Sequence, residues 1–174
     1  SFVLMMENHG PLVIGSTIGE ALLRLTYLED TCKMQLMAEA AIARWVASGI
    51  DVAQLQLLES VSFGVADLKG SILGLSTTGL VLVDRDAAGW GWFVDATPMR
   101  DEEFAVTGNV AGEAGVRMDL LTVLVHELGH VMGLADQHGI DDGGVMAGHL
   151  DIGQRLVPEV LLVGVAPAQF GDGG

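Results

Sequence analysis

The chain has 174 residues, half of them apolar and 18% charged, which suits one ordinary domain or a small domain with an appendage and excludes compositional disorder. Eight Lys and Arg stand against 23 Asp and Glu, a formal charge of −15, which excludes nucleic acid and anionic membrane surfaces as partners. The lone Cys32 excludes an internal disulfide framework, and the 24 glycines argue for turns rather than an all-helical bundle.

The first residues carry neither a basic region nor a small-residue cleavage site, so no secretory signal is expected. Residues 2–6 and 12–15 are short apolar runs around the turn Asn8-His9-Gly10-Pro11, which predicts two strands. Thr17 and Glu20 fit a capping box. Apolar residues then recur at helical spacing, from Ile18, Ala21, Leu22 and Leu25 to Ile42, Trp45 and Val46, and stop at Gly49. Residues 61–67, Leu80-Val81-Leu82-Val83 and 90–94 read as strands, with Trp90 and Trp92 as packing residues. Residues 107–117 form a Gly-rich loop, and Asp119 caps a helix from Leu120 to about Met132 that ends at Gly133. An acidic Gly-rich loop over 136–144 and a short helix over 152–156 follow. The longest uncharged stretch, residues 70–83, falls short of the roughly 18 apolar residues of a membrane span.

The chemistry is concentrated in Val125-His126-Glu127-Leu128-Gly129-His130 and the residues after it. On a helix His126 and His130 lie about 40° apart around the axis, so both imidazoles reach one ion. Glu127 is rotated away from that ion, where it can hold a metal-bound water and take its proton. Gly133 breaks the helix and lets the chain return with a third ligand. Asp136 is placed for that role, and His138 is its rival. Glu159 would suit a distant third ligand, and His149 reads as a surface histidine near the site. Two unpaired histidines on so apolar a helix would be costly to bury, and three protein ligands leave a position for water.

The run from His126 to Asp136 resembles the HExxHxxGxxH signature of metzincin zinc endopeptidases, with Asp in place of the third His as in the snapalysin branch. Gly144-Val145-Met146 resembles their Met-turn, although Met146 also reads as core filler. Residues 80–95 are similar to the edge strand and loop of matrixin-like domains. The resemblance implies an α+β fold: a small twisted mixed sheet with a long N-terminal helix and an active-site helix. It further implies an extracellular or cell-surface metallopeptidase using Zn2+, with Glu127 as base. A peptide or protein substrate would lie along the edge strand Leu80, Val81, Leu82 and Val83. Calcium has no EF-hand or nonapeptide spacing to support it, so Asp84, Asp86, Asp95, Asp101, Glu102, Glu103, Asp141 and Asp142 read as a solvated acidic face. The competing reading is a metal-stabilised adhesion or interaction module without catalysis.

Residues 2–38 resemble something else, the C-terminal part of class II aldolase/adducin domains, through Asn8-His9-Gly10, the strand after it, and the helix carrying Glu20, Tyr27, Leu28, Glu29 and Cys32. In that family the NHG histidine ligates zinc, a role that falls here on His9 alone. The family's H-x-H pair and carboxylate have no counterpart in this chain, so a class II aldolase remnant is the remote reading. The expected organisation is an aldolase-like segment over 1–39 running into the first helix, a metzincin-like domain over 40–158 and a tail over 159–174. The N-terminal strand pair either joins the sheet or serves oligomerisation.

Overall fold

A computed structural model of the chain describes residues 3–7, 10–104, 110, 112–137 and 144–159. The fold is α+β, as expected. Strands β1 (Val3–Met6) and β2 (Gly10–Val13) form an antiparallel hairpin that stands apart as its own two-stranded sheet. Helix α1 follows over Ile18–Ser48. The Thr17 hydroxyl accepts from Glu20 N, and Gly49 closes the helix at φ 95°, a conformation glycine adopts without a Cβ penalty. The Glu20 carboxylate accepts from Ser16 N, one residue outside the expected box.

Only the second half of α1 is buried, from Met34 through Met37, Ala38, Ala40 and Ala41 to Trp45. The expected apolar stripe of the first half is not: Ile18 is 90% exposed and Leu22 62%. That half reaches beyond the core, with β2 beside it.

Helix α2 (Val52–Glu59) was not expected from apolar spacing. Asp51 and Gln54 form a reciprocal capping box that starts it. Strands β3 (Ser62–Ala66), β4 (Gly74–Thr77) and β5 (Leu80–Asp84) make the main sheet, in the order β3-β5-β4. The pair β3–β5 is parallel and β4–β5 antiparallel, so the sheet is mixed. Leu80, Val81, Leu82 and Val83 therefore form the central strand and not the edge, which corrects the expectation. Val81 and Val83 are buried because both ladders flank them. The edge beside the cleft is β4.

Two-residue strands β6 (Trp92–Phe93) and β7 (Met118–Asp119) pair in parallel. Helix α3 (Leu120–Val131) is capped by the Asp119 carboxylate, which accepts from Thr122 N. Apolar on nearly every side, α3 is the centre of the core and packs against α1, β4 and β5. Leu121, Leu124 and Leu128 are fully buried, each worth roughly 1.5–3 kcal/mol. Trp45 Nε1 donates to Val125 O at 2.9 Å, joining the two helices.

The helix expected over 152–156 does not form. Gly153 turns at φ 73°, and Leu156 N is committed to Thr122 Oγ1 on α3 at 2.9 Å. Among the described residues no helix is long and apolar enough to cross a membrane.

Candidate metal centre

Helix α3 presents His126 and His130 one turn apart on the face toward the cleft. Gly133, at φ 90°, then reverses the chain and returns Asp136 to the same point. His126 Nε2 and His130 Nε2 are 3.0 Å apart, and Asp136 Oδ1 lies 3.3 and 3.2 Å from them. Zinc bonds of about 2.0–2.1 Å at tetrahedral angles would separate ligand atoms by roughly 3.3 Å, so this triangle is the size of one face of such a site. The three residues form a group that could hold a metal ion.

The other ring nitrogens are already committed. His126 Nδ1 faces Val145 O at 2.9 Å and His130 Nδ1 faces Leu134 O at 2.8 Å. A carbonyl only accepts, so both Nδ1 atoms carry the proton and both Nε2 lone pairs point at the common centre. The turn that supplies Val145 is held in place by Gln137 N donating to Met146 O and Ala147 N donating to Gly144 O, both at 2.9 Å. Met146 is buried beneath the helix. A Cβ on Gly129 would stand 2.3 Å from its Sδ, so the methionine is seated where only glycine leaves room.

Glu127 is 6% exposed yet lines the cleft. It packs on β4 at Gly74, where an added Cβ would stand 2.6 Å from Oε1. Sequence spacing did not single out Gly74, because the contact is made across the fold. The cleft has a volume of about 1130 Å³ and runs from β4 across α3 to the segment after the 144–147 turn.

The remaining candidates are placed as follows. His149 is exposed on the cleft rim with Asp151 at 2.9 Å, and Glu159 is exposed outside the metal group. His9, His138, Asp141 and Asp142 lie outside the described residues, as does the tail beyond Glu159. Trp92 packs, donating to Asp84 O at 2.8 Å, whereas Trp90 is 55% exposed and lines the cleft, contrary to the packing role expected of it.

The acidic face also needs correction. Asp84 and Asp95 are buried. Asp84 accepts from Leu68 N, Asp86 N and Ala88 N, and carboxylate lone pairs spent on backbone donors do not serve a calcium ion. Asp95 and Asp119 share Arg155, whose Nη1 is 2.6 Å from Asp95 and whose Nη2 is 2.8 Å from Asp119. Burial would lower the Arg155 pKa, but Asp119 and Asp95 hold it above its ordinary value. Because Asp119 caps α3, this network fixes the start of the helix that carries both histidines.

The sequence profile of the Class II Aldolase and Adducin N-terminal domain matches residues 1–36. A Caulobacter vibrioides protein named "Putative aldolase class 2 protein" is 33% identical over 89 residues, 51% of this chain and 33% of its own length. The chain thus spans one third of the length of that relative. No solved structure matches. The resemblance of residues 2–38 to class II aldolase/adducin domains is thereby supported. The peptidase expectation is corrected: the similarity found is to class II aldolase proteins and not to zinc endopeptidases. The metzincin and matrixin kinship, and the extracellular setting inferred from it, fall with that expectation.

Proposed function

We propose that this chain is a metal-binding domain of the class II aldolase kind, with zinc held by His126, His130 and Asp136, acting on a carbonyl compound in the cleft. The observation that carries the reading is the convergence of two Nε2 lone pairs and one carboxylate oxygen, with both Nδ1 atoms already satisfied. The similarity of residues 1–36 to the aldolase family, and the name of the Caulobacter relative, support the reaction class. Among the described residues, the group that could hold the ion is the one on α3 and the chain after it.

A bound divalent cation supplies Lewis-acid polarisation of a carbonyl oxygen. Glu127, buried beside the ligands, takes the proton from the carbon next to that carbonyl and holds it for return. Gly74 lets the carboxylate lie against the β4 backbone, which sets its position. Val145 O and Leu134 O hold the two imidazoles in one tautomer and orientation. Among the described residues, the hairpin and the first half of α1 contribute no cleft lining.

The test is deuterium exchange at the α-carbon of hydroxyacetone, followed by NMR. The zinc-loaded chain should exchange it faster than a zinc buffer control. Glu127→Gln should slow exchange at least tenfold, about 1.4 kcal/mol or more, with metal content unchanged. Exchange no faster than the buffer control contradicts the reading.

A further inference from the structure

The cleft has a charge pattern of its own. None of the eight Lys and Arg side chains of the chain lines it. Several are tied up elsewhere. Arg24 pairs with Glu20 and Lys33 with Glu29 on α1, Arg117 pairs with Glu113, and Arg44 and Arg155 are committed to Asp101, Asp95 and Asp119. Among the described residues, the cleft's charged side chains are carboxylates, Glu127, Asp136 and Asp151, beside His126, His130 and His149. Its remaining walls are mixed: Leu57, Ile72, Leu75, Trp90 and Leu150 stand beside the hydroxyls of Ser71, Ser76, Thr77 and Thr78. Ile72, Leu75 and Trp90 are each about half exposed, so they form the mouth and not the core.

A phosphorylated ligand is recognised through Arg or Lys forks, or through an unobstructed helix N-terminus. Here the α3 N-terminus is filled by Asp119, itself fully buried and paired with Arg155. A phosphate entering this cleft would lose its hydration and meet carboxylates. We infer that the cleft selects an uncharged ligand with an apolar body and rejects phosphorylated ones. This rests on the carbonyl reading above and narrows it to unphosphorylated substrates.

Calorimetry on the zinc-loaded full chain at pH 7 tests it with two probes of equal chain length, neutral hexanohydroxamic acid and its 6-phosphonooxy derivative. The uncharged probe should bind at least tenfold more tightly, and Ile72→Arg at the mouth should narrow that gap. Equal or tighter binding of the phosphorylated probe overturns the inference and leaves the metal reading standing. If neither hydroxamic acid binds the zinc-loaded chain, the carbonyl reading falls instead. The charge preference is then decided on the metal-free chain with the uncharged dye N-phenyl-1-naphthylamine and the anionic anilinonaphthalene sulfonate. Tighter binding of the uncharged dye, weakened by Ile72→Arg, supports the inference. Tighter or equal binding of the sulfonate, or no effect of Ile72→Arg, overturns it.

Discussion

At Asp84 two effects oppose each other. Burial alone raises the carboxyl pKa, but the N–H groups of Ala88, Leu68 and Asp86 outweigh it and hold the value at about 2. The folded pKa lies below the unfolded value of about 3.9. Its contribution to stability is therefore complete above that unfolded value and is lost as pH falls through the folded one. The gap in thermal midpoint between the parent chain and Asp84→Asn should shrink as pH drops from about 5 to about 2. A gap that stays constant over that window contradicts the assignment. Gly129 makes a second residue-scale case. Its substitution by Ala puts a Cβ 2.3 Å from Met146 Sδ and 3.3 Å from Trp45 Cζ2, overpacking worth about 1–3 kcal/mol. A melting temperature unchanged in Gly129→Ala would show that Met146 is not held against the helix.

Among the elements, α3 was the most legible in sequence. Its Asp119 cap, the histidine spacing and the Gly133 stop are all local signals, and the structure places each where spacing put it. Helix α2 carried an equally local signal in Asp51 and Gln54, which apolar periodicity passes over because Leu55, Leu57 and Leu58 crowd one short stretch. Strand β4 had no such signal. Gly74, Leu75, Ser76 and Thr77 become a strand through pairing with β5, and that pairing also moves Leu80 to Val83 from the edge to the centre. The clamp at the start of α3 was illegible for a different reason: Arg155 meets Asp119 and Asp95 across 36 and 60 residues of chain. Replacing Arg155 by Met would leave both carboxylates buried without their cation, a loss of about 3–5 kcal/mol. Urea unfolding checks this, and a change below about 1 kcal/mol would mean that the clamp does not hold the helix.

At the scale of the molecule, the charge of −15 argues against a polyanionic partner. The structure adds that five of the eight cations, Arg24, Lys33, Arg44, Arg117 and Arg155, sit in ion pairs, and that none of the eight lines the cleft. The family similarity and the candidate ligands divide along the chain. Residues 1–36 are similar to class II aldolase domains, while the candidate ligands lie on α3 and the turn after it. Spacing brought His126 and His130 forward as a pair, with Asp136 or His138 as the third ligand, because a helical turn and a glycine stop fix that geometry locally. It could not choose the reaction, since the same ligands serve several chemistries.

Metal analysis of the purified full chain by mass spectrometry, beside single-site variants, tests the central claim most directly. The account predicts one zinc ion per chain, lost in His126→Ala, His130→Ala and Asp136→Ala, and retained in Glu127→Gln and His138→Ala. A chain that takes up no metal, or an Asp136→Ala variant that keeps its full complement, would contradict it.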